Sequence, residues 1–187
     1  MHESALIQRL RWRVPAALLA IGCAPADNAD ARTAQKTPAA AECTISRIAD
    51  GDSLVCGSAG RIRLLMIDAP ELAQGPAGRQ AQNTLQNLAP AGTRVTIETD
   101  VRARDTYDRM LAYLYLPDGR MINEEMARSG FVTALVYAPN VRHAERIRDA
   151  VSEARQARRG LWATGFFDCS PRDYRAGRCG GGTPQRR

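Results

Sequence analysis

Lysine is almost absent from this chain: Lys36 is the only one among 26 lysines and arginines in 187 residues. The net charge of +6 at pH 7 is therefore carried by arginine. A basic, arginine-dominated protein suits a polyanionic partner, although a base composition that favours arginine codons produces the same skew. Histidine is equally scarce. Of the 2 histidines, only His143 lies beyond the N-terminal leader, near the start of a polar helix where a solvent-facing position is expected. Catalysis built on histidine bases, or on a zinc cluster with several histidines, cannot be assembled from this chain. No CxxC spacing exists either, which argues further against a zinc site. The apolar run Val14–Gly22 is too short to span a bilayer. No internal repeat is evident.

What is present is ordinary for one soluble domain with a proper core: 44% hydrophobic and 25% charged residues. Arg9, Arg11 and Arg13 precede the apolar run, so residues 1–26 read as a signal peptide, cleaved after Ala24–Ala26. The stretch Ala20–Cys23 loosely matches a bacterial lipobox, so a lipoprotein signal over 1–22 with a lipid anchor on Cys23 stays open, as does a plain cytoplasmic extension. Export, to a secreted or periplasmic location, is the reading adopted. Residues 27–42 read as a flexible linker, 43–167 as the folded domain and 168–187 as a Cys-containing tail. Beyond Cys23, four cysteines allow three disulfide connectivities, or none if all stay as thiols. A tight turn at Ala49–Asp50 would fold Cys43 back opposite Cys56, and Cys169 and Cys179 bracket a short loop, which favours those two pairs.

Alternation and turn residues predict strands over Thr44–Ala49, Ser53–Cys56, Arg61–Ile67, Arg94–Thr99 and Met110–Leu116. A helix is expected over Arg79–Leu88. Asn123 is placed to cap another ending at Ser129, and Asn140 a further one through Arg159. Five short strands with a helix between the third and fourth describe an α+β, mainly β fold. The expected architecture is a five-stranded Greek-key barrel of the OB-fold type with about three helices.

The chemistry concentrates where the third strand ends. Arg63, Asp68 and Glu71 follow one another along Arg61–Glu71, and a turn upstream supplies Asp50 and Asp52. A hard divalent cation wants carboxylate oxygens, a phosphodiester wants guanidinium forks, and attack on phosphorus wants a base near a water. A charge at Asp68, closing an apolar strand, is costly unless it is paired or ligated. Each residue also has a plainer reading. Asp-Gly-Asp is common in hairpins, Glu71 follows a proline in a loop, Arg63 suits a strand edge, and Arg109 has Asp105 and Asp108 to pair with. Asp50 reads as a structural turn residue.

Three blocks taken in order, Asp50–Ser53, Arg63–Glu71 and Asp105–Tyr113, resemble the signature of the staphylococcal nuclease (thermonuclease) family, and the likeness runs from Thr44 to Trp162. The resemblance implies an OB barrel and a Ca2+-dependent phosphodiesterase acting on DNA and/or RNA. Such an enzyme cleaves the 5′ side of the phosphodiester and leaves 3′-phosphates. It further implies calcium ligation by Asp52, Asp68 and the Ala69 carbonyl, catalysis by Arg63, Glu71 and Arg109, and substrate contacts from Tyr107 and Tyr137. Single-stranded nucleic acid is the expected partner, and a monomer the expected state. The chain departs from the family pattern at Ala69, where threonine is usual, and at Leu135, where a tyrosine stands in the best-known member. The loop after Glu71 is also shorter and lacks lysines. Two rivals are a non-catalytic nucleic-acid-binding OB module and an envelope interaction domain that binds calcium only for stability.

Overall fold

The computed structural model describes residues 41–179. The signal, lipid-anchor and most of the linker readings, and the end of the tail, fall outside the described residues. Strands β1 (Ala41–Ile48), β2 (Ser53–Cys56), β3 (Gly60–Leu64), β5 (Arg94–Arg104) and β6 (Met110–Tyr115) form a closed barrel in the order β1-β2-β3-β6-β5. Every neighbouring pair is antiparallel except β3–β6, which is parallel and sets Arg63 beside Leu111. In β1 a bulge between Ile45 and Arg47 rephases the alternation, so that Cys43, Ile45 and Ile48 all face the core. Ile62, Leu64, Val95, Ala112 and Leu114 complete the interior.

The expected strand Arg61–Ile67 is two strands. At Leu65 the chain leaves the barrel, and Met66 adopts a left-handed φ of 67°. The short β4 (Met66–Asp68) then pairs with β7 (Thr133–Leu135). Asn123 fills the gap that this exit leaves. Its amide donates to Leu65 O at 2.9 Å and Ala112 O at 3.2 Å, and its Oδ1 accepts from Leu114 N at 3.1 Å. Asn123 is therefore not a helix cap. It lies fully buried inside α2 (Ile122–Ser129), bridging elements instead of closing a helix end.

Asn140 is not a cap either, because its side chain clasps the backbone of Arg102 on β5, accepting from N at 2.7 Å and donating to O at 2.9 Å. The helix that follows, α3 (Ala144–Gln156), begins after His143 and stops short of Arg159. His143 does not face solvent. Its ring packs edge-on against Tyr113 at 4.5 Å and its Nε2 sits 3.2 Å from both Glu98 oxygens. Helix α1 (Pro76–Leu88) starts earlier than Arg79, with Pro76 in its first turn, where a missing N–H costs nothing.

Residues 161–179 are folded. Leu161 and Phe167 pack with Ala77 of α1 in a small second core shared with Trp162 and Phe166. A short helix, α4 (Pro171–Arg175), follows, capped by Ser170, whose Oγ accepts from Asp173 N at 3.1 Å. Both favoured disulfides are formed, Cys43–Cys56 with Cα atoms 5.8 Å apart and Cys169–Cys179 at 5.6 Å.

Candidate active site

The Asp50–Ser53 turn is built from its own polar groups. Asp50 Oδ1 accepts from Asp52 N at 3.0 Å, and Ala49 N donates to Ser53 O at 2.9 Å. Gly51 lets this turn press onto the rest of the site, since a Cβ there would stand 2.6 Å from the Cβ atoms of both Ala69 and Ala81. The close approach carries the Asp52 carboxylate to Ala69 N, which donates to its Oδ2 at 2.8 Å, while Ser53 Oγ donates to Oδ1 at 3.0 Å. Gly78 does the same service for Glu71: a side chain at 78 would overlap the Glu71 carbonyl.

Arg63 is locked by the strand break. Its Nη1 donates to Leu64 O at 2.6 Å and Ile67 O at 2.7 Å, carbonyls turned inward where β3 gives way to β4. Its Nη2 lies 3.0 Å from Asp52 Oδ2 and 3.2 Å from Asp68 Oδ1, so the two carboxylates converge on one nitrogen. Arg109 is held differently. Asp105 takes its Nε at 2.7 Å and its backbone N–H at 2.9 Å. The two terminal nitrogens of Arg109 make no hydrogen bond among the described residues. Asp108 pairs with Arg104 instead.

Burial dominates the acid–base balance. It is the largest influence on Asp68, whose side chain is 1% exposed, and it raises that carboxyl above its usual value against the opposing pull of Arg175 and Arg63. Burial, then the charge of Asp52, pushes Asp50 up to about 6. Burial also acts on Asp105, but the Arg109 backbone N–H and guanidinium outweigh it and hold that carboxyl low.

Asp52, Arg63, Asp68, Ala69, Glu71, Tyr107, Arg109 and Tyr137 all line one cleft of about 580 Å³. Tyr107 and Tyr137 stand at its rim, 70% and 57% exposed. The Arg109 guanidinium lies 5.6 Å from the Tyr107 ring centroid, and Leu135 also lines the wall. One member of the cleft was not anticipated. Arg175 of α4 places Nη2 at 3.0 and 2.8 Å from the two Asp68 oxygens and Nη1 at 2.8 Å from Glu71 Oε1. Its neighbour Arg172 lies over the Tyr137 ring at 5.9 Å. A sequence signal for α4 exists, Ser170 and Pro171 followed by Asp173 between two cysteines, which marks a capped and closed turn. Nothing local in it points to the cleft.

Among the described residues no group of three or more His, Cys, Asp or Glu side chains makes a closed metal cage. The Asp52–Asp68 pair, convergent on Arg63 Nη2, nonetheless offers hard oxygen donors in a buried setting. That donor set fits an oxygen-seeking divalent cation which takes its remaining ligands from a carbonyl, water and substrate.

Residues 61–164 match the family model described as staphylococcal nuclease homologue. The chain is 30% identical over 128 residues to a thermonuclease of Staphylococcus hyicus, covering 64% of this chain and 74% of that protein. It is 33% identical over 127 residues to the thermonuclease of Staphylococcus intermedius, covering 63% and 74%. Against an uncharacterized endonuclease of Escherichia coli O157:H7 it is 40% identical over 123 residues, covering 64% and 75%. With the barrel, the cleft and these likenesses taken together, the chain belongs to the staphylococcal nuclease family.

Proposed function

We propose that this protein is an exported, calcium-dependent phosphodiesterase that cuts DNA and/or RNA on the 5′ side of the phosphate and leaves 3′-phosphate ends. Family membership makes it a nuclease-type hydrolase with nucleic acid as its substrate class. The observation that carries the finer reading is the convergence of Asp52, Asp68, Glu71, Arg63 and Arg109 on one cleft rimmed by two tyrosines. Asp52, Asp68 and the Ala69 carbonyl would hold the cation. When bound, it supplies charge to polarise the phosphate and to orient a water.

The chain's own residues do the rest. Glu71, 41% exposed at the mouth of the cleft, takes a proton from the attacking water. As the water oxygen bonds to phosphorus, the P–O5′ bond breaks, and the 5′ oxygen leaves as an alkoxide that takes a proton from solvent water while Glu71 returns its own proton to solvent. Arg109, with its terminal nitrogens uncommitted, forks onto the phosphate oxygens as negative charge grows. Arg63 is half-buried and its Nη2 is already shared by Asp52 and Asp68, so its main part is to neutralise the cluster. Tyr107 and Tyr137 offer faces on which unpaired bases stack, which favours single strands. The disulfides support export, since such bridges persist in oxidising compartments.

The test is cleavage of single-stranded DNA and of RNA by the protein, with calcium and then with a chelator, alongside Glu71→Gln. The expected result is calcium-dependent cutting that falls by at least about 10²-fold in the variant. Binding without cutting under every metal would make the protein a binding module.

A further inference from the structure

We propose that Arg175 is the internal counter-cation of the carboxylate cluster and sets its affinity for divalent metal, because a metal must displace the Arg175 guanidinium to reach Asp68. This inference rests on the metal reading of the Asp52–Asp68 pair. A single nitrogen of Arg175 lies within hydrogen-bond distance of both Asp68 oxygens, and its other terminal nitrogen holds Glu71. The group assigned to the metal and the group assigned to the water are thus bridged by one side chain. Asp68 is almost wholly buried, so its charge needs a cation beside it at all times. Arg63 and Arg175 supply that need in the absence of metal. A dication arriving next to them meets two positive charges, and only Arg175 can leave. Arg63 is pinned by two backbone carbonyls, whereas the Arg175 side chain is 40% exposed and bonded to nothing but the two carboxylates.

The segment that carries Arg175 is made to keep it near. Leu161 and Phe167 anchor the stretch before it against Ala77 of α1. Cys169–Cys179 closes a loop around α4, and inside that loop Asp173 takes the Ser170 hydroxyl at 2.7 Å and the Arg178 Nε at 2.9 Å. Such tethering turns a surface arginine into a competitor at high effective concentration. It acts on the metal site without being part of it, so Arg175 is a positioning residue.

The experiment is a calcium titration by calorimetry, without nucleic acid, on the full chain and on Arg175→Ala, Arg175→Lys, Cys169→Ser/Cys179→Ser and Asp68→Asn. Removing the competitor should tighten calcium binding by about tenfold in Arg175→Ala. Arg175→Lys, which keeps the charge and loses the fork, should fall between it and the parent. Opening the disulfide should move affinity in the same direction as Arg175→Ala. A merely structural role for Arg175 predicts weaker binding or none of these gains. Equal or weaker calcium binding in Arg175→Ala, with binding still abolished by Asp68→Asn, would overturn this inference alone. Absence of calcium binding in both the parent and Arg175→Ala would overturn the metal reading and the inference together.

Discussion

Arg63 and Arg109 look equivalent as residue types, and the structure separates them. The Arg63 guanidinium spends Nη1 on two carbonyls and Nη2 on two carboxylates. Arg109 spends only Nε and its backbone N–H, both on Asp105. The consequence is a difference in what substitution removes. Arg109→Lys keeps a positive charge in the cleft but loses the planar fork and the Nε bond that aims it. Its expected effect is a loss of about 10²-fold in kcat/KM on single-stranded DNA, with stability unchanged within about 0.5 kcal/mol. Comparison of initial rates and urea midpoints for Arg109→Lys and the parent checks this. Near-parental turnover would remove Arg109 from the phosphate grip.

Among the elements, the barrel strands were legible because alternation and Asp-Gly and Gly turns mark them locally. The break at Leu65–Met66 was not. Leu64 to Ile67 is an unbroken apolar run with no Gly or Pro, and the exit is made favourable by long-range partners: the buried Asn123 amide, Arg63 Nη1 and the pairing with β7. Asn123 and Asn140 illustrate the same limit. An asparagine just ahead of a helical stretch looks like a cap, yet both are spent on backbone groups of other elements.

The start of α3 is fixed to β5 and β6 in a similar way. Glu98 meets the Tyr115 hydroxyl at 2.5 Å, Arg142 Nη1 at 2.7 Å and the His143 ring. Burial raises the Glu98 carboxyl, but these three donors outweigh it and leave the group below its usual value. A carboxyl that is more acidic in the folded state stabilises the fold above its unfolded pKa. That contribution is lost as pH falls through the folded value. Glu98→Gln should therefore lower the urea midpoint at pH 7. The gap to the parent should close as pH drops below about 4. A gap that stays constant from pH 7 to pH 3 would mean that the carboxylate charge contributes nothing there.

Over the whole molecule, the two disulfides divide the labour between fold and site. Cys43 and Cys56 are buried on β1 and β2 and staple the barrel itself across a separation of 13 residues. Cys169 and Cys179 are half-buried and close a separate loop of 10 whose inward product is Arg175. This second role could not be read from the chain, because the cleft contact of Arg175 spans more than a hundred residues and depends on an aromatic anchor that precedes it. The pairing of the cysteines was readable, since each pair brackets its own short segment. The two bridges should accordingly fail in different ways. Cys43→Ser/Cys56→Ser removes a constraint on the unfolded chain and leaves polar groups in the barrel wall, so it should cost about 3 kcal/mol of unfolding free energy. Cys169→Ser/Cys179→Ser frees a peripheral loop, and its cost to cooperative unfolding should stay below about 1 kcal/mol. Chemical denaturation of both double variants distinguishes the roles. Equal losses would mean that α4 and its loop unfold together with the barrel, and that Arg175 is held by the global fold instead of by a local tether.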